Sequence, residues 1–139
     1  MKKLFVVNLL FAFFLINSVN LFANTQDLYG TWIGEYSEDG EVVRINLLID
    51  KSILSIEIVY IIDDEILGQE EFSVEIIDWE EIVNTDNNTK NNYPNGYLLE
   101  LNAPLGSTFL EIYISRDKKQ LIIPNFNEET DEIMFFVRK

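Results

Sequence analysis

The stretch Asp-Leu-Tyr-Gly-Thr-Trp-Ile-Gly-Glu-Tyr, residues 27–36, decides the fold of this chain. Trp32, Gly34 and Tyr36 fall on one face of an extended segment, and this period of two is typical of a β-strand with one buried side. The next four residues, Ser-Glu-Asp-Gly, contain the Asp-Gly pair that favours a tight hairpin turn. The stretch therefore predicts a first strand over 30–36, joined to a second strand by a hairpin.

Period-two alternation continues along most of the chain after residue 24. This region contains one alanine and seventeen isoleucines. Because alanine favours helices and β-branched residues favour strands, helices are not expected. The fourth strand is expected to continue to residue 82 after a bend or bulge, and loops are predicted over 84–96 and 125–131. The further predicted strands span 41–49, 53–62, 69–77, 97–102, 108–115, 120–124 and 132–138.

Short connections between the eight predicted strands leave no room for a crossover helix, so the sheet is expected to be antiparallel. Each strand has one apolar face, which is buried only if the sheet folds onto itself. Closure into a barrel also removes exposed strand edges. We therefore expect an all-β fold, an eight-stranded antiparallel up-and-down barrel. A two-layer antiparallel sandwich is the alternative, disfavoured because no long connection is present to form a Greek key.

Residues 1–23 have the layout of a secretory signal peptide. Lys2 and Lys3 precede an apolar run over 4–16, and Ala23 is a small residue suited to cleavage. As a helix this run is about 20 Å long, shorter than a bilayer core of roughly 30 Å, so no stable membrane anchor is expected after cleavage. We expect a single domain over 24–139, exported to the periplasm or the exterior of a bacterial cell.

Composition excludes several classes of site and partner. The chain has no histidine and no cysteine, so His/Cys zinc sites, imidazole bases, thiolate nucleophiles and disulfides are excluded. Its net charge is −14, and removal of Lys2 and Lys3 with the signal peptide makes it −16. Nucleic acid is not expected as a partner, because phosphate contacts need Lys and Arg. The acidity either serves solubility or attracts a basic protein partner.

Carboxylates are abundant, but their spacing matches no known site. The segment 86–97 differs from a calcium-binding loop, since Lys90 occupies the fifth position and Tyr97 the twelfth. Four glutamates alternate with apolar neighbours, which places them on the outer face of the sheet, where paired glycosidase acids are not expected: Glu57, Glu75, Glu100 and Glu111. We expect no catalytic residue, no metal site and no cofactor, and hence not an enzyme.

Aromatic residues on the inward parity are the better candidates for a binding site. An eight-stranded barrel is just wide enough either to be filled by its side chains or to hold one small ligand. Both alternatives remain open from the sequence. The candidate ligand-binding residues are Tyr36, Ile58, Tyr60, Phe72, Tyr97 and Phe136.

Gly30-Thr31-Trp32 on the first strand resembles the Gly-x-Trp of lipocalins and of lipocalin-like bacterial proteins. In that family the Trp plugs one end of the barrel and an Arg late in the chain packs across it. The resemblance implies these structural roles for Trp32 and Arg138. The family's middle Thr-Asp-Tyr motif has no counterpart here.

Two functions are compatible with these expectations. The first is an exported small β-barrel that binds an apolar or amphipathic small molecule in its interior, at the end opposite Trp32. The second is an acidic protein-interaction module, an inhibitor or an envelope partner, with a packed and ligand-free barrel.

Overall fold

The protein forms a closed eight-stranded antiparallel barrel in a computed structural model that describes residues 24–127 and 132–139. The strands pair in chain order, and β8 pairs with β1 to close the sheet. The predicted up-and-down barrel is thus confirmed, and the sandwich alternative is wrong. A short 3-10 helix, Thr25–Leu28, precedes strands β1 Gly30–Glu38, β2 Glu41–Ile49, β3 Ile53–Ile62, β4 Glu65–Val83, β5 Asn95–Ala103, β6 Gly106–Ile114, β7 Gln120–Asn127 and β8 Glu132–Arg138.

The predicted signal peptide, residues 1–23, lies outside the described residues, as do residues 128–131 of the loop predicted over 125–131. No helix in the described part of the chain is long and apolar enough to cross a membrane.

Most strand bounds agree with the sequence prediction, and β7 is the main exception. Residues 125–127 were expected in a loop, but β7 continues through them and Asn127 pairs with Glu132 of β8. The pairing register shifts between Ile123 and Asn127, and this irregularity accommodates Pro124, which has no N–H to donate. The bulge predicted in β4 is present between Ile76 and Asp78.

The two ends of the barrel differ in how they are filled. One end carries the turns after β2, β4 and β6 together with the 3-10 helix, and Leu28 and Trp32 fill it with 0% exposure each. We call this the closed end. The opposite end carries the turns after β1, β3 and β5, and we call it the open end.

The core consists of the inward-facing side chains of all eight strands. Strand β2 shows the pattern clearly: Val43, Ile45, Leu47 and Ile49 are buried, whereas Leu48 between them is exposed. Burial of one such aliphatic side chain stabilises the fold by roughly 1.5–3 kcal/mol, so this one strand makes a substantial contribution. The fully buried residues concentrate toward the closed end.

A second, smaller cluster lies on the outside of the barrel. Tyr93, from the loop after β4, packs with Tyr113 and Ile122, and all three are buried. Tyr113 lies on the outward face of β6, and it is buried because this loop covers it. Phe109 on the same face of β6 is not covered and remains 61% exposed.

Candidate ligand-binding site at the open end

Hydrogen bonds and a cation–π contact hold Trp32 in place, and this side chain seals the closed end. The indole Nε1 of Trp32 donates to the carbonyl oxygen of Leu28 at 2.9 Å. The Arg138 guanidinium lies over the Trp32 ring, 4.1 Å from its centroid. Arg138 Nη1 donates to the carbonyl of Tyr29 at 2.9 Å, and Nη2 donates to the carbonyl of Asp27. This one cation therefore ties the last strand to the segment that enters the first.

Gly34, two residues beyond Trp32 toward the open end, allows β1 and β8 to approach each other closely. A Cβ at Gly34 would lie 2.8 Å from the carbonyl oxygen of Phe135 and 2.9 Å from Cδ1 of Phe136. No side chain fits there, so glycine is the residue that lets the barrel close at this seam.

Two of the six candidate ligand-binding residues lie in the packed interior near the closed end. Tyr97 is 2% exposed and Phe136 is 1% exposed. The Trp79 ring meets Tyr97 edge to face at 5.8 Å, and Phe126 meets Phe136 in the same way at 5.9 Å. Burial, and secondarily Glu81, raises the pKa of Tyr97 to about 12. These two rings are shielded from solvent by their neighbours.

The other four candidates come together on β1, β3 and β4. Although their parity is inward, Tyr36 is 38% exposed and Phe72 is 46% exposed, while Ile58 and Tyr60 are half-buried. The pairing register places Tyr36 and Tyr60 opposite the same residue, Val43 of β2. Burial, followed by the charge of Glu38 and the proximity of Tyr60, raises the pKa of Tyr36. The barrel interior is therefore open to solvent at this end.

Unequal strand pairing explains why Phe72 faces inward and is still exposed. Strand β4 pairs with β5 only from Glu75 to Val83. Its first half continues past the end of β5 with β3 as its neighbour, so no strand covers Phe72 on that side. Gly68 lies four residues before Phe72 on β4 and is paired with Tyr60, whose ring it leaves uncovered, because a Cβ at Gly68 would lie 3.7 Å from Tyr60 Cδ2.

Further inward residues of the strands are also half-buried but are not among the predicted site candidates. Leu110 of β6 and Phe126 of β7 are half-buried and pack against the core. Phe126 was missed because Pro124 and Asn125 beside it are turn-forming residues, which predicted a loop there. We define the apolar mouth as the partly exposed inward residues Tyr36, Ile58, Tyr60, Phe72, Leu110 and Phe126.

Carboxylates border the apolar mouth. The inward series of β1 passes from Trp32 through Gly34 and Tyr36 to Glu38. Glutamates of three other strands also lie on the inward parity toward the open end: Glu41 of β2, Glu70 of β4 and Glu132 of β8. We call Glu38, Glu41, Glu70 and Glu132 the acid rim. Glu38 and Glu41 are direct cross-strand partners.

Two further depressions lie on the surface, and a hydrogen-bonded pair of side chains lies in each. A depression of about 270 Å³ on the outer face includes Asn46 and Glu57, which hydrogen-bond each other at 2.7 Å. Another of about 310 Å³ lies beside Tyr93 and Asp117. The Ser115 hydroxyl, which donates to Asp117 at 2.6 Å, holds the pKa of that carboxyl below its usual value. Within residues 24–127 and 132–139, no group of three or more His, Cys, Asp or Glu side chains is arranged to hold a metal ion.

No protein-family model matches this chain, no curated protein matches it, and no solved structure matches it. The lipocalin resemblance therefore stays a prediction, carried by Gly30-Thr31-Trp32 and by the position of Arg138.

Proposed function

We propose that this protein is an exported, lipocalin-like β-barrel that binds an apolar or amphipathic small molecule through the apolar mouth. The observation that carries the proposal is the partial exposure of Tyr36 and Phe72, which face the barrel interior but are 38% and 46% exposed. When a ligand removes apolar protein surface from water, binding is favoured by about 25 cal/mol for each Å² that is buried. Small-molecule sites are commonly such apolar concavities with a few polar groups.

The difference between the two ends of the barrel supports entry of the ligand at the open end. The closed end is held by Trp32, Leu28 and Arg138 through specific hydrogen bonds. A rigid closed end is a suitable scaffold for a binding site at the open end, because the site must keep its shape while it stays accessible. The predicted signal peptide supports export, and the lipocalin resemblance supports an interior ligand. The proposal assigns no catalytic residue.

The test is titration with N-phenyl-1-naphthylamine, a neutral apolar dye whose fluorescence rises in apolar surroundings. We expect saturable enhancement with the wild-type protein and affinity about tenfold lower for Phe72→Ala, because that ring lines the mouth. Phe109→Ala is the matched control, since Phe109 is also a partly exposed strand residue but faces outward. Absence of saturable binding, or an equal loss in both variants, would overturn the proposal.

A second candidate function, an acidic protein-interaction module, is favoured by the hairpin between β3 and β4. Ile66 and Leu67 near its tip are 66% and 62% exposed, and Asp63, Asp64 and Glu65 lie beside them. An apolar tip among carboxylates suits a basic protein surface with an apolar centre. Co-purification of one basic partner at low salt, lost on Ile66→Asp but retained on Leu105→Asp at another exposed turn, would support it. Retention in both variants would count against it.

A further inference from the structure

The basic residues of this protein are concentrated at one end of the barrel. Of the eight Lys and Arg residues that lie within the described part of the chain, seven are in the segments that form the closed end: Lys51, Lys90, Arg116, Lys118, Lys119, Arg138 and Lys139. The eighth, Arg44, lies on the outer wall and pairs with Glu35 at 2.7 Å. No basic residue among those described borders the apolar mouth.

Carboxylates occur at both ends of the barrel, but at the open end no described basic residue accompanies them. The acid rim is supplemented by Asp39 in the turn after β1 and by Asp63 and Asp64 in the turn after β3. The ion pairs found in the described residues are Glu35 with Arg44 and Asp27 with Lys118, so these open-end carboxylates have no basic partner there. Like charges on directly opposed residues of adjacent strands are unfavourable, and Glu38 and Glu41 are such a pair.

We propose that the ligand of the apolar mouth is a cationic amphiphile, with its apolar tail against Phe72 and Tyr60 and its positively charged head group at the acid rim. This inference rests on the proposed function and adds the chemical class of the ligand. An apolar tail alone would bury the apolar surface of the mouth, but the carboxylates of the acid rim would still repel one another. A cationic head group neutralises part of that repulsion, and an anionic head group increases it.

The aromatic residues of the mouth fit the same head group. A cation within about 6 Å of an aromatic face is attracted by the ring, and quaternary ammonium groups are bound in this way. Tyr36 lies one inward position from Glu38 on β1, and its phenol is close enough to Glu38 and Glu41 for their charges to raise its pKa. One aromatic ring and two carboxylates therefore converge at this part of the rim.

The experiment compares three ligands that share a twelve-carbon tail, each below its micelle concentration and at pH 8. Dodecyltrimethylammonium is cationic, dodecyldimethylamine oxide carries no net charge, and dodecyl sulfate is anionic. Their affinities are measured by displacement of the neutral dye, with near-UV circular dichroism to confirm that the protein stays folded. We expect the cation to bind about tenfold more tightly than the amine oxide, and the sulfate to bind most weakly. This preference should fall in 1 M NaCl, where the Debye length is about 3 Å.

Variants that neutralise carboxylates of the acid rim test whether these residues cause the preference for the cationic ligand. The variant with Glu38→Gln, Glu41→Gln and Glu70→Gln should bind the cation about five- to tenfold more weakly and the amine oxide within about twofold of wild type. The control variant, with Glu71→Gln, Glu75→Gln and Glu100→Gln, changes net charge equally on the outer face and should keep the preference. The single pair Glu70→Gln and Glu71→Gln repeats the comparison with adjacent residues on opposite faces of β4.

The outcomes separate the two proposals. If neither the dye nor any of the three amphiphiles binds, the proposed function fails and this inference fails with it. If the dye and the amine oxide bind but the cation has no advantage, only the inference is overturned. An equal loss of cation affinity in the rim and outer-face variants would likewise overturn it, because net charge rather than the rim would then set the preference.

Discussion

Trp32 is held from three sides, and each contact has a different physical basis. Its indole N–H donates to Leu28, the Arg138 guanidinium covers its face, and the side chain is fully buried. The sequence indicated this residue and its partner through Gly30-Thr31-Trp32 and the late Arg. What it could not indicate is that Arg138 also donates to the carbonyls of Asp27 and Tyr29, because backbone acceptors leave no trace in residue type.

Trp32→Ala is expected to lower the free energy of unfolding by about 3–5 kcal/mol, since it removes a large buried side chain and leaves a cavity. Urea denaturation followed by circular dichroism measures this change. The dye affinity of the apolar mouth, corrected for the unfolded fraction, should stay at the wild-type value because Trp32 lies at the other end. A large loss of affinity in the folded variant would contradict the structural role.

Gly34 and Gly68 provide a matched pair of glycines within strands. Gly34→Ala is expected to destabilise the protein by about 1–3 kcal/mol, because its Cβ would lie 2.8 Å from a backbone oxygen of β8. Gly68→Ala is expected to be neutral or to stabilise by up to about 1 kcal/mol, since its Cβ would meet Tyr60 at an ordinary 3.7 Å and alanine reduces the entropy of the unfolded chain. Equal urea midpoints for the two variants would contradict the close approach at Gly34.

At the scale of elements, alternation along each strand predicted the strands and their faces but not how exposed a residue is. Tyr36, Tyr60, Phe72, Tyr97 and Phe136 all belong to the inward parity. Depth within the barrel separates them, and depth depends on strand stagger, which period two does not encode. The exposure of Phe72, for example, follows from where β5 ends.

The sequence predicts a loop over 84–96, and the structure has it over 84–94, packed against the outside of the barrel in a way that the sequence does not predict. Asn84, 5% exposed, organises it: its Nδ2 donates to Thr89 Oγ1 at 2.9 Å and to the carbonyl of Tyr93 at 2.8 Å. These bonds place Tyr93 over Tyr113. An irregular segment has no hydrophobic period, so its sequence does not predict which surface it covers.

Asn84→Ala is expected to lower the free energy of unfolding by about 1–3 kcal/mol, because it removes three side-chain hydrogen bonds: two donated to Thr89 and Tyr93, and one accepted from the Asp86 N–H. Hydrogen exchange should also become faster for the amides of the loop and of β6 near Tyr113. Asn87→Ala, at an exposed position of the same loop, is the control and should change neither quantity. Unchanged exchange in Asn84→Ala would show that the loop does not depend on this side chain.

For the whole molecule, buried tyrosines predict a loss of stability in alkali. Burial raises the pKa of Tyr97 and of Tyr113 to about 12, whereas an unfolded tyrosine has a pKa near 10. The folded state therefore retains protons that the unfolded state releases, and the stabilisation is complete below about pH 10 and lost as pH rises toward 12. Urea midpoints should fall between pH 10 and 11.5, and less steeply in the Tyr97→Phe, Tyr113→Phe double variant. Identical slopes in the two proteins would contradict this assignment.

The sorting of charge between the two ends has a consequence for how the molecule orients in an external field. Basic residues are concentrated at the closed end, and carboxylates without basic partners border the apolar mouth. The barrel therefore has an electric dipole moment along its axis. A cationic surface or polymer would attract it mouth first, and the same torque would turn the mouth away from anionic lipid head groups. Orientation before contact would then select which molecules reach the mouth, independently of how tightly any of them binds.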